Sequence, residues 1–80
     1  MIRLIPELPP LVPPDRIEVY GKYGDLLGVL LYKGLEDGHK GYAFHPNITR
    51  DPSRGIGGKT TLRQIADACE RANRLRGTDY

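Results

Sequence analysis

Leu26-Leu27-Gly28-Val29-Leu30-Leu31-Tyr32-Lys33 is the stretch on which the fold turns. It is short, aliphatic and bounded by glycine turns, so it reads as a strand. Alternation puts Leu27, Val29 and Leu31 on one face and Leu26, Leu30 and Tyr32 on the other, where Gly28 leaves a gap. Apolar residues on both faces imply a strand covered on both sides.

The flanking sequence supplies its neighbours. Arg16-Ile17-Glu18-Val19-Tyr20 alternates polar and apolar residues and predicts a half-buried strand. Gly21-Lys22-Tyr23-Gly24-Asp25 then reads as a turn. After the central strand a second glycine-bounded turn covers residues 34–41, and Gly41-Tyr42-Ala43-Phe44-His45 predicts a third strand, ended by Pro46. Short turns between strands make an antiparallel meander. Residues 50–59 form a glycine-rich loop carrying Arg50, Arg54 and Lys59. Thr61, with Gln64 three residues on, has the spacing of a capping box and predicts a helix start. Leu62, Ile65, Ala66, Cys69, Ala72 and Leu75 follow at helical spacing as one apolar stripe, and Gly77 suits the C-cap.

Five of the seven prolines fall within the first fourteen residues: Pro6, Pro9, Pro10, Pro13 and Pro14. Each lacks a donor and restricts the residue before it, which excludes a helix. Residues 1–15 are therefore read as an extended proline-rich arm, and residues 16–80 as the domain. The arm carries Ile2, Leu4, Ile5, Leu8, Leu11 and Val12, side chains expected to cover apolar surface. The predicted fold is α+β: a three-stranded antiparallel meander, then one C-terminal helix packed on one sheet face, with the arm in front. The second face calls for a cover, either this arm or another copy of the chain.

Eighty residues allow one thin core. A single cysteine, Cys69, permits no internal disulfide, and no cysteine–histidine spacing suits zinc. No apolar run approaches membrane-spanning length, and prolines interrupt the start too early for a signal peptide, so a cytoplasmic location is expected. The formal charge is +2, unevenly spread. Residues 1–49 hold five Lys/Arg against six Asp/Glu, and residues 50–80 hold seven against four.

No candidate chemistry rises above a bland reading. Ser53 to Thr61 resembles a phosphate-binding loop, but Ser53 stands where the motif needs glycine, and a second acidic motif is missing. His39 sits in a turn, and His45 ends a strand without a partner visible in sequence. Cys69 lies on the apolar stripe, where an inert buried thiol is the ordinary outcome. Asn47-Ile48-Thr49 is a glycosylation sequon without a secretory context. Arg3-Leu4-Ile5-Pro6-Glu7-Leu8-Pro9 matches a short pattern read by proline-binding grooves. Arg63, Arg71, Arg74 and Arg76 form a solvated helix face, with Asp67–Arg71 and Glu70–Arg74 spaced as exposed pairs. Arg50, Arg54 and Lys59 are less compensated. With Tyr20, Tyr23, Tyr32 and Tyr42 they are the candidate contact residues for an acidic protein surface or a nucleic-acid backbone.

Three short strands (Ile17 to Tyr20, Leu26 to Lys33, Tyr42 to His45) followed by the helix from Thr61 resemble the arm-binding domains of phage integrases. That resemblance implies a sheet laid into a DNA groove. Size and economy also resemble small phage and mobile-element proteins that inhibit or redirect host machinery, anti-CRISPR proteins among them. The reading is a non-catalytic binding module, with no cofactor, acting by contact with a protein partner. The alternative is a nucleic-acid-binding accessory protein that uses the loop 50–59.

Overall fold

The structure, a computed structural model, describes residues 1–8, 13–34, 41–49 and 58–77. Its sheet has four antiparallel strands: β1 (Arg3–Ile5), β2 (Arg16–Tyr20), β3 (Leu26–Tyr32) and β4 (Tyr42–Pro46), in the order β1-β2-β3-β4. One helix, α1 (Lys59–Arg76), follows. The α+β class, the meander and the C-terminal helix are those expected.

The turns form because glycine supplies backbone that other residues resist. Gly24 takes φ +81° in the β2–β3 turn, where its N–H donates to the Gly21 carbonyl at 3.0 Å. Gly34 and Gly41, both at positive φ, bracket the second turn, and the Gly41 N–H donates to the Gly34 carbonyl at 2.7 Å. Residues 35–40 lie outside the described residues.

The number of strands corrects the sequence reading. Residues 3–5, read as arm, pair with β2 through Arg3–Tyr20, Leu4–Val19 and Ile5–Glu18. The prolines exclude a helix there, but the first is Pro6, so residues 3–5 keep every donor an edge strand needs. This segment widens the sheet rather than covering its second face. Ile2, Leu4 and Leu8 pack against the same cluster as the helix. Residues 9–12 of the anticipated arm lie outside the described residues.

The faces of β3 also differ from strict alternation. Val19 pairs with Gly28, but Tyr20 pairs with Leu26, so Leu27 is an extra residue in the ladder. Such a bulge resets the side-chain direction. Leu27 joins Leu30, Ile17 and Val19 in the core instead of sharing the far face with Val29 and Leu31. The gap at Gly28 is filled by the Phe44 ring: a β-carbon at Gly28 would stand 2.7 Å from Phe44 Cζ.

α1 begins at Lys59 with Gly58 as N-cap, and no side chain caps it. Thr61 is inside the helix, so the expected capping box does not form. Gln64 instead accepts a hydrogen bond from the Ile2 N–H at 3.2 Å. The buried positions are Ile65, Ala68 and Ala72, flanked by Cys69. Leu62 is 52% exposed and Ala66 is exposed, so the packed stripe is rotated from the one expected. Alanine is small enough for either face, and Ala68 and Ala72 let the helix axis come close to the sheet. Gly77 closes α1 in the left-handed conformation, as anticipated.

The helix also secures the sheet edges. At the β4 edge the Tyr42 N–H donates to Asn73 Oδ1 at 2.8 Å, and Cys69 Sγ lies 3.1 Å from the Tyr42 carbonyl oxygen as donor. Nine residues separate Gln64 from Asn73, roughly 13 Å of helix. Three strand spacings separate β1 from β4, roughly 14 Å. α1 therefore reaches across the strands from one edge to the other.

Candidate binding surface

Two of the four candidate tyrosines are structural. Tyr42 is 4% exposed, and its hydroxyl donates to the Pro14 carbonyl at 2.6 Å, with the Pro13 carbonyl at 3.2 Å. Tyr32 meets Tyr42 edge to face, ring centroids 5.2 Å apart. The Arg76 guanidinium lies 3.7 Å from the Tyr32 centroid and donates through Nη1 to the Pro13 carbonyl at 3.0 Å and to Asp15 Oδ1 at 2.8 Å. Arg76 thus departs from the solvated-face reading: it ties the helix end to residues 13–15 and to two tyrosines. Arg76→Met keeps the aliphatic stem and removes those donors. The expected cost is about 1–2 kcal/mol, from a charged hydrogen bond and a stacked cation. Chemical denaturation checks it, and an unchanged midpoint would contradict the clamp.

Burial holds the Cys69 thiol above its ordinary 9.0. It also holds the Tyr42 phenol above 10.0, while the adjacent Arg76 guanidinium pulls the other way. Both groups keep their protons longer in the folded state than in the unfolded one. Their contribution is therefore intact below the unfolded values and is lost as pH rises through the raised folded ones. The urea midpoint is expected to stay level to about pH 8 and to fall above about pH 9. A rise above pH 9 would contradict this sign.

The remaining candidates are scattered. Tyr23 is 84% exposed in the β2–β3 turn, with the Lys22 ammonium 5.0 Å from its centroid. Tyr20 is half-buried and, by alternation with Val19, points away from α1. Lys59 is exposed at the start of α1. Arg50 and Arg54 lie outside the described residues, as does His39. The proline-groove pattern begins in β1, an antiparallel strand rather than the left-handed helix such grooves read. Asp67–Arg71 and Glu70–Arg74 are not among the ion pairs, which include Arg16–Glu18 at 3.3 Å and Arg76–Asp15 at 2.8 Å. The Nε2 of His45 is buried without a hydrogen-bond partner.

A surface the sequence did not indicate lies at the β1 edge. An open groove of about 860 Å³ runs between β1, the β2–β3 turn and α1. Met1, Ile2, Leu4, Ile5 and Leu8 supply its aliphatic lining, with Ile5 42% exposed. Arg3, Lys22, Arg71 and Glu7 supply its charges. These residues come from three distant stretches, so no spacing rule could collect them. The one signal available was the apolar content of the first eight residues.

Among the described residues no helix is long and apolar enough to cross a membrane, and no cluster of His, Cys, Asp and Glu could hold a metal ion. The fold and the groove define a small sheet-and-helix domain with an open, partly apolar edge. No protein-family model, curated protein or solved structure matches the chain.

Proposed function

We propose that this protein is a non-catalytic binding module that works by contact with a protein partner. The observation that supports this is the groove at β1. There Met1 and Ile5 are exposed beside charged residues, and Ile2, Leu4 and Leu8, packed against the core cluster, remain only partly covered. Apolar surface rimmed by polar groups is what protein contacts use. Its small size suits an accessory protein that inhibits or redirects a larger machine by covering part of its surface, as the phage-type resemblance implies.

The test is paired capture. Wild-type protein and an Ile5→Glu variant serve as baits in nuclease-treated lysate at physiological salt. The expected result is a protein retained by the wild type and lost on the variant, while labelled duplex and single-stranded oligonucleotides give flat anisotropy titrations. Tight oligonucleotide binding, with protein capture abolished by nuclease, would overturn the reading in favour of a nucleic-acid accessory role. Identical capture by both baits would remove the groove from it.

A further inference from the structure

Resting on the protein-contact reading, we infer that the β1 groove takes an extended peptide segment in which acidic residues alternate with aliphatic ones. Charge complementarity carries the argument. Among the described lining residues, Arg3, Lys22 and Arg71 stand against one acid, Glu7, a net of two positive charges. None of the three cations takes part in the Arg16–Glu18 or Arg76–Asp15 pair. All three are exposed, on β1, the β2–β3 turn and the middle of α1, and Arg3, opposite Tyr20, stands on the sheet face away from the helix. Lys22 leans on Tyr23, which holds its ammonium without neutralising it.

The aliphatic lining supplies the second half of the recognition. Ile2, Leu4, Ile5 and Leu8 can take branched side chains but offer no face for stacking bases, and among the described lining residues Tyr20 is the one aromatic. A peptide therefore fits better than a nucleic acid. A second copy of this chain would bring an equally positive groove to the contact.

The β1 edge offers an extended segment one open backbone position, at Leu4. The Tyr32 N–H donates to the Asp15 carbonyl, which sets the alternation of β2 so that Arg16, Glu18 and Tyr20 turn their polar groups toward β1. Ile5 and Arg3, opposite Glu18 and Tyr20, use theirs toward β2, and Leu4 turns its N–H and C=O outward. The flanking outward positions are already modified: Gln64 occupies the Ile2 N–H, and Pro6 has none. An added strand would gain ladder bonds chiefly at Leu4, which leaves side-chain complementarity to set affinity.

Fluorescence anisotropy with a labelled peptide of alternating aspartate and leucine tests this. The comparison probes are an alternating lysine–leucine peptide, an all-aspartate peptide and a single-stranded oligonucleotide. Saturable binding is expected for the aspartate–leucine peptide alone, weakening as salt rises. The exposed-site double variant Arg3→Glu/Arg71→Glu, its fold checked by circular dichroism, should weaken that binding about tenfold or more and turn preference toward the lysine–leucine peptide. Equal binding of all peptides, tighter binding of the oligonucleotide, or a self-associated dimer in ultracentrifugation that excludes the peptide would each overturn the inference. If the aspartate–leucine peptide fails while Ile5→Glu still abolishes capture from lysate, the acidic specificity falls and the protein-contact reading stands. If both fail, both fall.

Discussion

Ile65→Ala is expected to lower the free energy of unfolding by about 2–5 kcal/mol, and Leu62→Ala by no more than about 0.5 kcal/mol. The two leucine-sized side chains sit three residues apart on the same helix and look equivalent in sequence. Ile65 is 5% exposed and belongs to the cluster of Ile17, Val19, Leu27 and Leu30, whereas Leu62 is 52% exposed. Shortening Ile65 removes buried methyl groups and leaves a cavity against a sheet that cannot close over it, because α1 is tied at both sheet edges. Shortening Leu62 removes surface that is already half in water. An 80-residue domain has little stability in reserve, so the Ile65 variant should also be visibly less cooperative on heating. Paired urea titrations decide the matter. A Leu62→Ala cost as large as that of Ile65→Ala would restore the helical face anticipated from periodicity.

The contrast shows where sequence was informative. Arg16 to Tyr20 was legible from its alternation, and Leu26 to Tyr32 as a short aliphatic run between glycine turns. The end of α1 was legible because Gly77 takes a conformation that a side chain resists. Its beginning was not. Thr61 and Gln64 have the spacing of a cap, yet the helix reaches back to Lys59, and Gln64 is engaged by a residue 62 positions away. Local spacing cannot register a bond to a distant segment. The same reason hid β1, whose pairing with β2 fixes it more firmly than its own composition suggests. It hid Arg76 too, which looked like one more surface charge until Pro13, Asp15 and Tyr32 were brought to it. Of the candidate contact residues, Tyr42 was misplaced by a rule that is sound on average. Aromatic residues do favour interfaces, but a tyrosine whose hydroxyl finds buried carbonyls belongs inside.

Gly28→Val should be the most damaging single change in the sheet outside the large-to-small class, at about 3 kcal/mol, the upper end of the usual overpacking range. By propensity alone the substitution should help, since valine favours strands and glycine weakens them. The structure opposes that gain. A β-carbon at Gly28 would enter the Phe44 ring, 2.7 Å from Cζ and 2.9 Å from Cε1, and would press on the backbone carbonyl of His45. The ring could swing aside, but the carbonyl belongs to β4, where Val29 pairs with His45 and Gly28 with Pro46. Moving it means parting β4 from β3 next to the Leu27 bulge. The cross-strand neighbour on the other side, Val19, is fully buried and leaves no room for retreat. Gly28→Ala should show a smaller loss in the same direction. The double variant Gly28→Ala/Phe44→Ala should cost less than the two single changes together, because the clash and the lost ring packing concern the same space. Stabilities from urea unfolding of these variants supply the check. A Gly28→Val protein as stable as the wild type would mean that strand propensity, and not the Phe44 ring, governs this position.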